Sequence, residues 1–107
     1  MVTIIIYYIH TAVPGLVNAT CTNILSNKIL QVEIEQQNNS SVEVRHYEIS
    51  ILDGTKIEVL AQSGSETVAV FYPVNDPVTI AQIVAVDVCN QQSDSTTIQC
   101  APSTPGG

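Results

Sequence analysis

The sequence predicts an all-β fold, and three observations lead to that prediction. The composition is dominated by Val, Ile and Thr, while Leu and Ala are scarce. Side chains branched at Cβ are restricted in a helix and pack well on a pleated sheet. Short segments alternate between apolar and polar residues, and turn signals such as Asp53-Gly54 and Ser63-Gly64 separate them. The length of 107 residues suits one domain.

The first segment, Val2 to Val13, reads VTIIIYYIHTAV and is apolar on both alternating faces. A secretory signal is disfavoured because no basic residue precedes the apolar run. A membrane span is disfavoured because spanning needs ~20 apolar residues. As a strand, the segment would bury side chains worth up to ~12–24 kcal/mol, which exceeds the ~5–15 kcal/mol net stability of a typical domain. The segment must therefore be buried against a sheet, either in its own domain or in a neighbouring molecule.

Residues 14–27 are predicted to be a connector, because Pro14-Gly15 ends the first strand and turn-forming residues follow. The strand ILQVEIE comes next, and it opens the main body of the domain, residues 28–100. Its alternation places Leu30, Val32 and Ile34 inward.

The following segment, SVEVRHYEISIL, changes the phase of its alternation, which predicts a bulge at Arg45-His46. TKIEVLAQ, ETVAVFYP and TTIQC read as further strands. PVTIAQIVAVDVC is apolar on nearly both faces, which is typical of a central strand or of one that meets another subunit. Residues 101–107 are predicted to be a flexible tail. The count is about seven strands, which favours an immunoglobulin-like β-sandwich, with a barrel as the alternative.

The charge balance argues against two classes of partner. The formal net charge is −7, and the basic residues are Lys28, Arg45 and Lys56. Phosphate contacts depend on Lys and Arg, so nucleic-acid binding is not expected. Anionic membrane surfaces are disfavoured for the same reason.

The three cysteines allow three intramolecular pairs, and each pair leaves one thiol over. Cys89 and Cys100 flank a polar loop, so we predict a bridge between them, although spacing alone does not fix connectivity. Such a bridge implies an oxidising compartment. Three sequons add candidate N-glycan sites at Asn18, Asn38 and Asn39.

Residues for catalysis and cofactor binding are sparse in the sequence. His10 and His46 are the histidines that could serve as a base, and no nucleophile elbow or glycine-rich phosphate loop occurs. Glu43 falls on the opposite strand face from His46 and Glu48, so a metal site is not expected. The prediction is a protein that is not an enzyme and that uses no metal and no cofactor.

The order of these features resembles the β-sandwich subunits of archaeal extracellular filaments, the bundling pili and threads built by donor-strand exchange. An apolar first strand precedes a connector and an Ile-, Val-, Thr- and Asn-rich sandwich with sequons. The resemblance implies an extracellular or cell-surface subunit whose partners are copies of itself. It implies that Val2 to Ala12, the donor strand at the start of region 1–13, enters a groove of the neighbour. The residues predicted to drive polymerisation are Val2, Ile4, Ile5, Ile6, Tyr7, Tyr8 and Ile9.

Two other functions compatible with the same sequence are a virion or pilin-like surface domain and a monomeric secreted binding module. They differ from the filament subunit in where the first strand lies. A donor strand occupies another copy, whereas the alternatives keep it within the same chain.

Overall fold

The computed structural model describes residues 13–36, 43–51, 54–62 and 64–102. Within those ranges the chain is all-β, which confirms the predicted class. The strands are β1 (Asn18–Ile24), β2 (Ile29–Glu35), β3 (Val44–Ile51), β4 (Lys56–Leu60), β5 (Thr67–Pro73), β6 (Ile80–Asp87) and β7 (Thr96–Pro102). The predicted donor strand, region 1–13, lies outside the described residues except for Val13.

The seven strands form one nearly closed sheet in the order β4-β3-β6-β7-β1-β2-β5. Strand β7 connects the β4-β3-β6 part of the sheet to the β1-β2-β5 part, because it changes partners along its length. Residues Thr96–Gln99 pair antiparallel with β6, whereas Cys100–Pro102 pair parallel with β1. Strands β4 and β5 are consecutive in the chain and form the two edges of the sheet.

The core follows from the alternation of the strands. The predicted inward residues of β2, Leu30, Val32 and Ile34, are fully buried, while Glu33 and Glu35 at alternate positions are exposed. Strands β3, β4 and β6 contribute most of the remaining central cluster, whose other fully buried side chains include Tyr47, Ile49, Ile83, Ala81 and Ala85. Val17, Cys21, Val68 and Cys100 complete it. Alternation along β2, β3, β4 and β6 therefore places one apolar face of each strand on the same core.

The bulge predicted at Arg45-His46 is confirmed. The pairing of β3 with β6 shifts register between Val44 and His46, so Arg45 has no paired residue on β6. This extra residue reverses the alternation, which brings both His46 and Tyr47 into the buried part of the strand.

The predicted connector, residues 14–27, is corrected, because it contains β1. The positions of β1 that face inward are occupied by Ala19, Cys21 and Asn23, which are small or polar, so the strand has no apolar alternation. The residues before it are also anchored, since Pro14 and Val17 are buried. The predicted tail is corrected at its start, because β7 extends to Pro102.

The disulfide joins Cys21 to Cys100, which corrects the predicted pairing of Cys89 with Cys100. Cys100 lies beside the start of β6, where its N–H donates to the Thr79 carbonyl. Cys89 follows the other end of β6, about ten residues of extended chain or roughly 30 Å away. The parallel register of β1 and β7 instead sets Cys21 directly opposite Cys100, with their Cα atoms 4.5 Å apart. The disulfide is compatible with a secreted protein.

We expect the native chain to react with one equivalent of a thiol reagent when no reductant is present. Cys89 is exposed on the turn after β6, whereas the other two cysteines are bonded to each other and buried. Mass spectrometry after alkylation should find the label on Cys89. Label on Cys21, with Cys89 protected, would contradict the pairing.

Candidate functional site

Strand β5 is an edge of the sheet within the described part of the chain, and this free edge presents three residues whose backbone groups point away from the sheet. At either end of the β2–β5 pair, the Val74 N–H donates to the Lys28 carbonyl and the Gln36 N–H to the Glu66 carbonyl. Bonded and non-bonded positions alternate in an antiparallel pair. The even-numbered residues of β5 therefore bond to β2. The N–H and C=O groups directed outward belong to Thr67, Ala69 and Phe71.

The free edge of β4 is built in the same way. The Ile51 N–H donates to the Thr55 carbonyl, and the Ala61 N–H donates to the Arg45 carbonyl. By the same alternation, Ile57 and Val59 bond to β3. The backbone groups directed outward belong to Lys56, Glu58 and Leu60. The two edges therefore differ in charge, because β4 carries Lys56 and Glu58 while β5 carries no charged residue.

A cleft opens at one end of these two edges, and we call it the edge cleft. One wall comes from the β3–β4 connection, at Ile51 and Thr55, and the other from the end of β5 and the residues after it. The second wall includes Tyr72, Val74 and Val78, which are half-buried apolar side chains packed against the core. Apolar surface is therefore accessible where the sheet fails to close.

The opposite end of the two edges is tied together by Gln36. Its side-chain nitrogen donates to the carbonyls of Gln62 and Ser65, and its side-chain oxygen accepts from the Gln62 N–H. Because Gln62 follows β4 and Ser65 precedes β5 in the chain, these bonds fix the two edges relative to β2. The edges are thus held at one end and open at the other.

The wall of the edge cleft at Val78 is held by Asn23 of β1. The Asn23 side chain is buried, donates to the carbonyls of Val78 and Cys100, and accepts from the Val78 N–H at 2.9 Å. Asn23 is two residues from Cys21, so the disulfide and this amide fix the same region. The sequence offered no signal for this role, because a polar residue in a turn-rich segment is usually exposed.

We expect Asn23→Ala to reduce the free energy of unfolding by about 2–3 kcal/mol, because the buried Cys100 carbonyl and the part-buried backbone groups of Val78 would lose their partner. Chemical denaturation monitored by circular dichroism would measure the change. Asn18→Ala is the matched control on the same strand. The Asn18 amide donates to Glu35 at an exposed position, so its loss should cost less than about 1 kcal/mol. Equal effects of the two variants would contradict the role given to Asn23.

The predicted site residues lie in different parts of the chain. Those of the polymerisation strand, Val2 to Ile9, lie outside the residues that the structure describes, as do Asn38 and Asn39. Asn18 is exposed at the start of β1. It borders a shallow polar depression whose carboxylates are Glu33, Glu35 and Glu66.

The described ranges hold no group of three or more His, Cys, Asp or Glu side chains that could bind a metal ion. His46 is buried at the bulge, where its Nδ1 accepts a hydrogen bond from Arg45 and its Nε2 lies 3.4 Å from Glu48. Glu43 is exposed. Among the described residues, no helix is long and apolar enough to cross a membrane.

No protein-family model matches the sequence, and no curated protein matches it.

Proposed function

We propose that this chain is the structural subunit of an extracellular filament. Subunits polymerise when the N-terminal strand, residues Val2 to Ile9, enters the sheet of the next copy. The observation that carries the proposal is the nearly closed sheet, in which β4 and β5 are edges with no further strand among the described residues, beside accessible apolar surface. The sequence supplies a matching segment, Val2 to Ile9, which has no charged residue and is apolar at nearly every position.

This proposal treats the sheet as an immunoglobulin-like β-sandwich that a donor strand completes. Strand β7 pairs with β6 through its first half and with β1 through its second half, which is how a strand shared by two packed sheets would pair. The two halves, β4-β3-β6 and β1-β2-β5, would then cover the two sides of one core. A donor strand would pair with one of the two edge strands, β4 or β5, and so fill the gap between them.

Head-to-tail insertion of this kind makes long polymers. The strand of one copy and the acceptor edge of another are different surfaces, so the contact does not close on itself. Each copy would insert its N-terminal strand into one neighbour and would receive the N-terminal strand of another. The proposed partners are therefore copies of this chain.

An extracellular location is part of the proposal. It is supported by the Cys21–Cys100 disulfide, since such bonds persist in oxidising compartments. The sequons at Asn18, Asn38 and Asn39 would be glycan sites there, and the amide of Asn18 lies on an exposed position.

Size-exclusion chromatography and negative-stain electron microscopy test the proposal. We expect the purified full-length chain to elute in the void volume and to form long, unbranched fibres that persist in denaturant concentrations at which a single domain unfolds. A chain that stays monomeric over a wide range of concentrations would contradict the filament. That outcome would favour a secreted binding module.

A further inference from the structure

We infer that the acceptor edge is β5, and that residues Val2 to Ile9 of a second copy pair with its outward backbone groups. This inference rests on the proposed function and deepens it by naming the surface that receives the strand. Both β4 and β5 are edges, so the choice between them depends on what each edge offers to an incoming strand.

The first reason is charge. Lysine and other charged residues on an edge strand hinder the approach of another strand. The outward positions of β4 include Lys56 and Glu58, whereas those of β5 are Thr67, Ala69 and Phe71. The incoming segment contains no Asp, Glu, Lys or Arg that could pair with the charges on β4. An uncharged strand therefore meets no unpaired charge along β5.

The second reason is length. Strand β5 has seven residues and β4 has five. The apolar run from Val2 to Ile9 is long enough to cover all of β5, and it would extend beyond β4. Pro73 has no N–H, so it ends the pairing surface at the last residue of the strand.

The third reason is the apolar surface beside β5. Its inward side chains become more accessible towards the end of the strand, since Val68 is buried while Val70 and Tyr72 are half-buried. Tyr72 continues into the edge cleft. On β4, by contrast, both inward side chains, Ile57 and Val59, are already buried. A strand added to β5 would cover side chains that the monomer leaves partly exposed.

A pair of full-length proline variants tests this choice of edge. Ala69→Pro removes an outward N–H of β5, and Glu58→Pro removes an outward N–H of β4. Neither N–H bonds to the neighbouring strand, and proline is tolerated at such edge positions. We expect Ala69→Pro to abolish fibre formation and Glu58→Pro to retain it, as judged by electron microscopy and sedimentation. Circular dichroism and the thiol count establish that each variant has folded.

A mixing experiment tests the N-terminal donor strand and the β5 acceptor edge separately. A chain with Ile5→Lys and Ile6→Lys keeps its acceptor edge, whereas Ala69→Pro keeps its donor strand. Each alone should remain monomeric, and an equimolar mixture should yield 1:1 dimers that do not grow further. Absence of dimers when both variants are folded would overturn the inference.

The remaining outcomes distinguish the inference from the function on which it rests. Fibres from Ala69→Pro, with none from Glu58→Pro, would identify β4 as the acceptor and leave the filament intact. Absence of fibres from the wild-type chain would contradict the proposed function itself.

Hydrogen exchange provides a readout that needs no variant of β5. We expect the amides of Thr67, Ala69 and Phe71 to exchange slowly in wild-type fibres and rapidly in the monomeric Ile5→Lys, Ile6→Lys chain. The even-numbered amides of β5 should be protected in both. Equal exchange of the three outward amides in fibre and monomer would overturn the assignment of β5.

Discussion

A chain carrying Ile5→Lys and Ile6→Lys is expected to stay monomeric under conditions in which the wild-type chain forms fibres. The two positions lie on opposite faces of the predicted strand, so insertion would bury one lysine on each face. Burying an unpaired charge costs several kcal/mol. At about 3 kcal/mol for each lysine, the association constant would fall roughly 10⁴-fold. Sedimentation velocity and electron microscopy would measure the loss.

The control for this variant adds the same charge at a different place. Thr97 and Gln99 are exposed on β7, so Thr97→Lys with Gln99→Lys changes the net charge equally without touching the donor strand. Fibres should persist in that control. Unchanged assembly of the Ile5→Lys, Ile6→Lys chain would count against donor-strand polymerisation. Loss of assembly in both variants would assign the effect to net charge.

The second large effect is expected from removal of the disulfide. The Cys21–Cys100 bond joins residues 79 apart in the sequence. On the chain-entropy estimate, closing a loop of that length stabilises the folded state by about 4.5 kcal/mol. Cys21→Ser with Cys100→Ser should therefore lower the free energy of unfolding by that amount. For a domain of this size, the midpoint of thermal unfolding would fall by roughly 18–36 °C.

Cys89→Ser is the matched control for the disulfide variant. Cys89 lies outside the disulfide on an exposed turn, so this change should alter the free energy of unfolding by less than about 0.5 kcal/mol. Differential scanning calorimetry of the two variants, without reductant, would compare them. A larger loss from Cys89→Ser than from the double variant would contradict the observed pairing.

Most of the strands were predictable from local pattern. Strand β2 alternates clearly between Leu30, Val32, Ile34 and the polar residues between them, so its inward face is correct residue by residue. The bulge in β3 was also predictable, because one added residue reverses the phase of a period of two. These features depend only on the pleat of a strand, which the sequence expresses directly.

Strand β1 and the disulfide were not predictable in this way. The inward positions of β1 hold Ala19, Cys21 and Asn23, so the strand lacks large apolar side chains, and its turn-forming residues indicate a loop. Its place is set by β2 on one side and by the parallel pairing with β7 on the other. That parallel pairing joins distant parts of the chain, so no local spacing of cysteines could reveal it.

The candidate site also combines a feature that local sequence pattern predicts with one that depends on pairing between distant strands. The proposed donor strand is a prediction from the apolar run that begins at Val2. The proposed acceptor edge could not be predicted in this way, because a strand becomes an edge through the order of the whole sheet. In the sequence, TKIEVL and TVAVFY read as ordinary alternating strands, and only the topology of the described strands places both at an edge of the sheet.

The central claim is that the first strand of one copy completes the sheet of another. A cryo-electron microscopy reconstruction of the wild-type fibre measures this directly, because it shows which copy holds Val2 to Ile9. We expect continuous density for this segment along β5 of the adjacent subunit. Density that keeps the segment within the sheet of its own chain, or that shows it as a helix, would contradict donor-strand polymerisation.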